Sequence, residues 1–130
     1  MNKNLCPFCN KHLRDRIILQ NDTFQVVYDL YPVSPGHMLL IPKRHITSFF
    51  ELTNKELEDF YNLIKIAYSR ISKEYSPDGF NIGINNGTVA GQTISHLHIH
   101  LIPRFMGDDQ HPEGGIRKII PNMVEYPISI

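Results

Sequence analysis

The chain has 130 residues, with 13 Lys and Arg against 13 Asp and Glu and seven His, so its formal charge at neutral pH is zero. That balance excludes both the basic footprint of a nucleic-acid polymer binder and the acidic bias of a solvating tail. At 42% hydrophobic and 10% aromatic the composition also excludes global disorder, and residues 1–130 read as a single domain able to bury its own core.

In chain order, the N-terminal MNKNLCPFCN has no apolar signal region. The longest unbroken aliphatic run, Met38 to Ile41, falls far short of the roughly 18 residues of a membrane span. A soluble cytoplasmic protein with no membrane partner is expected. Cys6 and Cys9 are the only cysteines and stand three apart, so they read as a metal or redox pair rather than a disulfide framework. Residues Arg16 to Gln20 and Phe24 to Asp29 are two β-rich runs, and Asn21-Asp22-Thr23 between them is hairpin chemistry because Asn and Asp tolerate positive φ. A third strand is predicted from His37 to Pro42, reached through the turn Pro32-Val33-Ser34-Pro35-Gly36.

Thr53 followed by Glu56 is a capping box, which predicts a helix running to about Tyr75. Its apolar face takes in Leu57, Phe60, Ile64, Ala67, Tyr68, Ile71 and Tyr75, and Ser76-Pro77-Asp78-Gly79 ends it. Phe80 to Asn85 alternates as a strand does, Asn86 to Gln92 is a loop, and Ser95 to Ile102 alternates again. Residues 105–130 read as a C-terminal tail with a strand-like run from Ile116 to Ile120. The fold class expected is α+β: an antiparallel sheet of about five strands with one long helix packed on it.

Within the last strand, alternate side chains point the same way, so His96, His98 and His100 line one face while Leu97, Ile99 and Leu101 bury the other. Successive imidazoles then stand about 6.5–7 Å apart. Three readings are open: a polar solvent face, a transition-metal site on the three rings, and a site for phosphoryl chemistry. The preceding loop bears on the choice. Asn85, Gly87, Gly91 and Thr93 are small or polar residues that let backbone N–H groups approach an anion closely.

Gly91 to Arg104, GQTISHLHIHLIPR, resembles the signature of the histidine triad (HIT) family, in which three histidines alternate with apolar residues. Tyr28 to His37, Ile41 to His45 and Asn85 follow the family's pattern in order, and the resemblance covers about residues 5–105. It implies a nucleotide hydrolase or transferase acting at an α-phosphorus through a covalent nucleotidyl-histidine. On that resemblance His98 is the nucleophile, His100 contacts the phosphate, and His96 either supports the nucleophile or binds metal. Asn85 and Thr93 hold phosphate oxygens, with the backbone amides of Gln92 and Thr93 as further donors. Asp29 takes the ribose hydroxyls, and Phe8, Val27 and Leu30 offer apolar surface to a purine. The chemistry suits a neutral imidazole, available near pH 7, and needs neither an organic cofactor nor a catalytic metal.

The ending Leu101-Ile102-Pro103-Arg104 is nearer the dinucleoside polyphosphate hydrolase branch. The alternatives are an adenosine phosphoramidase, a nucleotidyl transferase or phosphorylase, and a nucleotide-binding adaptor with little turnover. A homodimer is implied by family habit. The Cys6-x-x-Cys9 pair supplies two thiolates, half of a tetrahedral zinc site. Likeness to some bacterial members and to the galactose-1-phosphate uridylyltransferases implies that His45 and His96 complete a structural zinc site, with His12 and His37 as rival ligands. Asp108 to Arg117 reads either as a flap near the site or as a solvated loop.

Overall fold

The runs rich in Val, Leu, Ile and Phe pair into one antiparallel sheet. The computed structural model describes residues 5–121; residues 122–130 of the expected tail lie outside the described residues. The strands are β1 (Leu19–Gln20), β2 (Phe24–Tyr28), β3 (Met38–Pro42), β4 (Gly79–Gly83) and β5 (Ile99–Arg104). They lie in the order β1-β2-β3-β5-β4, each antiparallel to its neighbours. A short helix α1 (Lys11–Arg14) precedes the sheet and a long helix α2 (Asn54–Tyr75) crosses one face. The expected α+β architecture is observed.

The β1–β2 turn forms by a different device from the one expected. Asn21 Oδ1 accepts from the N–H groups of Thr23 and Phe24, and among the described residues Ser76 is the only non-glycine at positive φ. The Asn side chain, acting as a turn mimic, removes the need for a left-handed residue.

Every residue of β3 is buried because both faces of the sheet are covered. On one face Val26, Met38, Leu40, Ile99 and Leu101 pack against Leu63, Ala67 and Ile71 of α2. On the other, Val27, Leu39 and Ile41 lie under Cys6, Phe8 and Leu13. Each fully buried Leu or Ile here contributes about 1.5–3 kcal/mol relative to exposure.

Helix α2 begins as predicted. Glu56 N–H donates to Thr53 Oγ1 at 3.1 Å and Thr53 N–H donates to Glu56 Oε1 at 2.9 Å. Ser76, at φ 51°, ends the helix in the left-handed region. The buried face differs from the expected one. Leu57 and Tyr68 are exposed, Tyr68 meeting the Phe80 ring at 5.0 Å, and Leu63 takes the central contact. The stripe is centred on residues 60, 63, 64, 67 and 71, which rotates residues 57 and 68 to its margin. Arg44 grips Glu56 with Nε at 3.1 Å and Nη2 at 2.8 Å, so the chain leaving β3 is tied to the first turn of the helix.

Strand β5 starts four residues later than predicted, and His96 and His98 precede it. The ladder with β3 stops at Leu40↔Ile99 because the next polar groups are otherwise engaged. Leu97 N–H donates to Ile46 O, and the His98 ring takes His96 O. The alternation itself holds: Leu97, Ile99 and Leu101 join the helix-side core while the histidines face the other side. In the turn before β3, Gly36 has φ 88°, and a Cβ there would stand 2.9 Å from the Tyr75 ring. Only glycine fits both conditions. Near the C-terminus, Ile116 to Ile120 is not a strand: Gly115–Ile119 forms a 3-10 helix with Ile116 and Ile119 exposed.

Candidate active site and metal centre

Leu30, Asp29, His98, His100, Asn85 and Thr93 surround a cavity of about 500 Å³ that also takes in Phe8. The chain reaches it from four places. Phe8 comes from the N-terminal segment, Asp29 and Leu30 follow β2, Asn85 follows β4, and Thr93, His98 and His100 lead into and along β5. Gly87 and Gly91, at φ 101° and 100°, bend the loop that carries Thr93 back over Asn85.

The His98 ring has one nitrogen committed. Its Nδ1–H donates to the carbonyl of His96 at 2.8 Å, which leaves the lone pair on Nε2. Among the described residues no buried side-chain nitrogen or oxygen lacks a partner, so this bare Nε2 opens to the cavity. The Phe8 ring lies 5.1 Å from His98, edge to face, and walls it from the cysteine side. The His100 ring is 5.4 Å from His98. Burial, with the His98 and His37 rings adding to it, pushes His100 down to about 4, and Asp29 opposes the shift only in part. His100 is therefore neutral at pH 7.

Two expectations for this cavity are corrected, and one of two open readings is set aside. Val27 does not line it; it is fully buried in the core beneath Phe8. The Gln92 side chain is structural: its Nε2 donates to Thr47 O and Ile94 O, and its Oε1 accepts from Gly87 N–H. The Gln92 amide is also taken, by Gly87 O at 3.1 Å, and so is no anion donor. The segment Asp108 to Arg117 does not line the cavity; Asp108 and Asp109 border a separate hollow beside Arg104.

His96 belongs to a different cluster. It is fully buried, its Nε2 lies 2.9 Å from Pro42 O, and its Nδ1 lies 3.4 Å from both Cys6 Sγ and Cys9 Sγ and 3.1 Å from His45 Nδ1. His45 Nδ1 is in turn 3.1 Å from Cys9 Sγ. Burial is the main cause that pushes His96 down to about 4, so its Nδ1 is an unprotonated lone pair facing two sulfurs. One ligand atom from each residue lies within 4.8 Å of the others. These separations match the edges of a tetrahedral Cys₂His₂ site, and the Pro42 carbonyl orients the ring as outer partners of metal-binding histidines do. The rival ligands do not take part: His12 is exposed on α1 and His37 lies on the far side of His100. The three triad rings do not converge on a single metal, because His96 faces the cysteines and His100 faces His37.

Among the cavity residues that escaped the sequence reading, two carry nitrogen groups. Arg16 lines the wall with its Nη2 held by Tyr28 O at 2.8 Å, and His37 lies behind His100. Alternation along β3 puts residue 37 on the same face as Leu39, but only the β3–β5 register shows that this face meets His100.

An antiparallel α+β domain that offers a bare imidazole nitrogen, a second neutral imidazole, an amide and a hydroxyl to one cavity holds the groups that nucleophilic histidine chemistry uses. The HIT domain family model matches residues 10–107, and the chain belongs to that family. It is 35% identical over 109 residues to an uncharacterized HIT-like protein of Methanocaldococcus jannaschii, covering 82% of this chain and 84% of that one. It is 41% identical over 80 residues to an asymmetrical bis(5'-nucleosyl)-tetraphosphatase of Schizosaccharomyces pombe, covering 62% and 44%. An AP-4-A phosphorylase of Mycobacterium tuberculosis is 33% identical over 111 residues, covering 83% and 56%. The chain thus spans about half the length of these two named enzymes. Among solved structures, a zinc-bound histidine triad family protein from Mycobacterium smegmatis superposes with a TM-score of 0.71 at 30% identity, covering 83% of this chain and 81% of that one.

Proposed function

We propose that this chain is a nucleotide hydrolase that cleaves dinucleoside polyphosphates at the α-phosphorus through a covalent nucleotidyl-His98. The observation that carries the reading is the His98 ring, proton fixed on Nδ1 and Nε2 bare, opening into a nucleotide-sized cavity beside His100, Asn85, Thr93 and Asp29. In the first step His98 Nε2 attacks the α-phosphorus; the N–P bond forms, and the bridging P–O bond breaks with its electron pair leaving on the nucleoside polyphosphate. His100, Asn85 and Thr93 donate to the oxygens as charge builds on them. In the second step water attacks the same phosphorus, the N–P bond returns its pair to the ring, and the water proton passes to solvent. Asp29 accepts from the ribose hydroxyls, and Phe8 and Leu30 flank the purine.

The relatives named as a tetraphosphatase and a phosphorylase support this substrate class. They also mark the second reading, phosphorolysis, in which inorganic phosphate replaces water on the same adduct. Zinc fits the Cys6, Cys9, His45, His96 cluster on its donor chemistry, where it would supply a structural crosslink between the N-terminal segment and the residues before β5. Reduced thiols at that cluster suit a cytoplasmic setting. A homodimer is supported by β4, an edge strand with Ile82 exposed.

The test is turnover of diadenosine tri- and tetraphosphate and of an adenosine phosphoramidate, each with and without phosphate. Intact mass of the quenched protein is read alongside. The expected result is a nucleotidyl adduct on His98 and release of a mononucleotide. His98→Ala is expected to lose turnover by several powers of ten while retaining nucleotide binding. Full activity in that variant sinks the mechanism, and binding without turnover in the native chain favours an adaptor.

A further inference from the structure

One wall of the cavity carries a second group of side chains with metal-ligand chemistry: Asp29, His37 and His100, their ligand atoms within 4.8 Å of one another. Their hydrogen bonds show where the protons are. Val33 N–H lies 3.2 Å from His37 Nδ1 and donates to it, which uses that nitrogen's lone pair. A neutral His37 must then carry its proton on Nε2. Nε2 is 2.9 Å from His100 Nδ1, with Asp29 Oδ2 a more distant acceptor at 3.4 Å. His100 Nδ1 therefore accepts, and its own proton sits on Nε2. A cation at this group would need the His37 Nε2 lone pair, which only loss of the Val33 bond could free. The group is a hydrogen-bond chain rather than a cation site.

Both rings are held in the neutral form the chain requires. His37 is 3% exposed, and burial lowers its basicity more than Asp29 restores it; His100 is lowered chiefly by burial too. The turn that presents Val33 N–H is tied down by three hydrogen bonds. His37 N–H donates to Ser34 O, Asp29 N–H to His37 O, and Ser34 Oγ to Pro103 O at 2.7 Å on β5. The donor is thus bound to the same strand as the ring it controls.

We propose that His37 is a positioning residue: the Val33 amide, acting through His37, holds His100 as its Nε2–H tautomer, opposite to that of His98. The two neighbouring rings then have different tasks. His98 shows the cavity a lone pair and is the nucleophile; His100 shows it an N–H and is a donor to the phosphate. Were His100 the other tautomer, its lone pair would face the phosphate oxygens and a donor would become a repulsive group. The division of labour rests on the reading of His98 as nucleophile, but the tautomers themselves do not.

The experiment is long-range ¹⁵N–¹H correlation spectroscopy of the full-length, ligand-free protein near neutral pH, followed by steady-state kinetics of two variants. In the native protein His100 is expected to be protonated on Nε2 and His98 on Nδ1. His37→Leu removes the donor; His100 then samples both tautomers, and kcat falls about 10- to 100-fold with KM little changed, less than outright loss of an oxyanion donor. His37→Gln can still donate to His100 Nδ1 and is expected to restore most of kcat. A proton on His100 Nδ1 in the native spectrum overturns the proposal. So does native kcat in the Leu variant, or equal impairment of Leu and Gln variants that share the native thermal midpoint. If the Leu variant does not fold, the native spectrum and the Gln variant decide alone. If no turnover is found on any nucleotide, the tautomers in the native spectrum still decide, separately from the substrate reading.

Discussion

On the cysteine side of His98, the His96 ring donates from Nε2 to Pro42 O and turns a bare Nδ1 toward Cys6, Cys9 and His45. On the other side, His37 has the reverse arrangement: Nδ1 is occupied by Val33 N–H, and Nε2–H faces His100. Both groups hold ligand atoms within 4.8 Å of one another. Distance therefore does not separate a metal site from a proton chain. The hydrogen bond on the far nitrogen does, because it decides whether a lone pair or a proton faces inward.

The strongest way to break that contrast is to remove the thiolates. Cys6→Ser with Cys9→Ser is expected to take metal content to near zero and to lower the thermal midpoint by more than about 10 °C, since a structural zinc site contributes folding energy directly. Metal analysis and a melting curve check it; less than about 0.2 zinc per native chain, against the one expected of a closed site, would end the zinc reading. Asp29→Asn probes the other cluster. It should leave metal content unchanged and lower kcat/KM by about 10- to 100-fold, a loss typical of one partly buried charged hydrogen-bond acceptor. A fall in zinc in that variant would show that the two groups are not independent.

Acid reaches the fold in two windows. The folded value of His100, about 4, lies below its ordinary 6.5, so the unfolded chain binds the extra proton first. Its contribution is complete above about pH 6.5 and is lost as pH falls to about 4. Glu56, held near 2 chiefly by Arg44, contributes fully above about pH 4.5 and loses that contribution only toward pH 2. Urea midpoints measured against pH should show both limbs, with Glu56→Gln removing the lower one. The smallest effect is expected far from both clusters. Thr53→Ala should cost about 1 kcal/mol in urea unfolding and leave metal content and turnover alone.

The features carried by local chemistry were readable in the chain. Thr53 and Glu56 mark the start of α2 because capping needs only four consecutive residues, and the alternation of His96, His98 and His100 with apolar neighbours assigns their sheet face without any partner. The resemblance carried the meeting of Cys6 and Cys9 with His45 and His96, since no local rule joins residues 90 apart. What escaped depends on register and tertiary competition. Val27 is shut off from the cavity by the N-terminal segment laid over β2, and Gln92 is drawn inward by the carbonyls of Thr47 and Ile94. The link from His37 to His100 spans 63 residues and follows from the pairing of Leu39 with His100.

Both neighbouring rings take their proton setting from the main chain: His98 from the carbonyl of His96, and His100 from the amide of Val33 relayed by His37. A peptide group has no codon of its own, so single-residue replacement cannot delete it, save for proline at position 33, which would remove the amide hydrogen. Drift can repaint the side chains around the cavity, altering which ligand fits, while the opposed settings of the two rings persist. The vulnerability lies in spacing. One residue gained or lost between Asp29 and His37, or between His96 and His98, would move the peptide groups out of reach, so insertions and deletions rather than substitutions are the changes this site is least able to absorb.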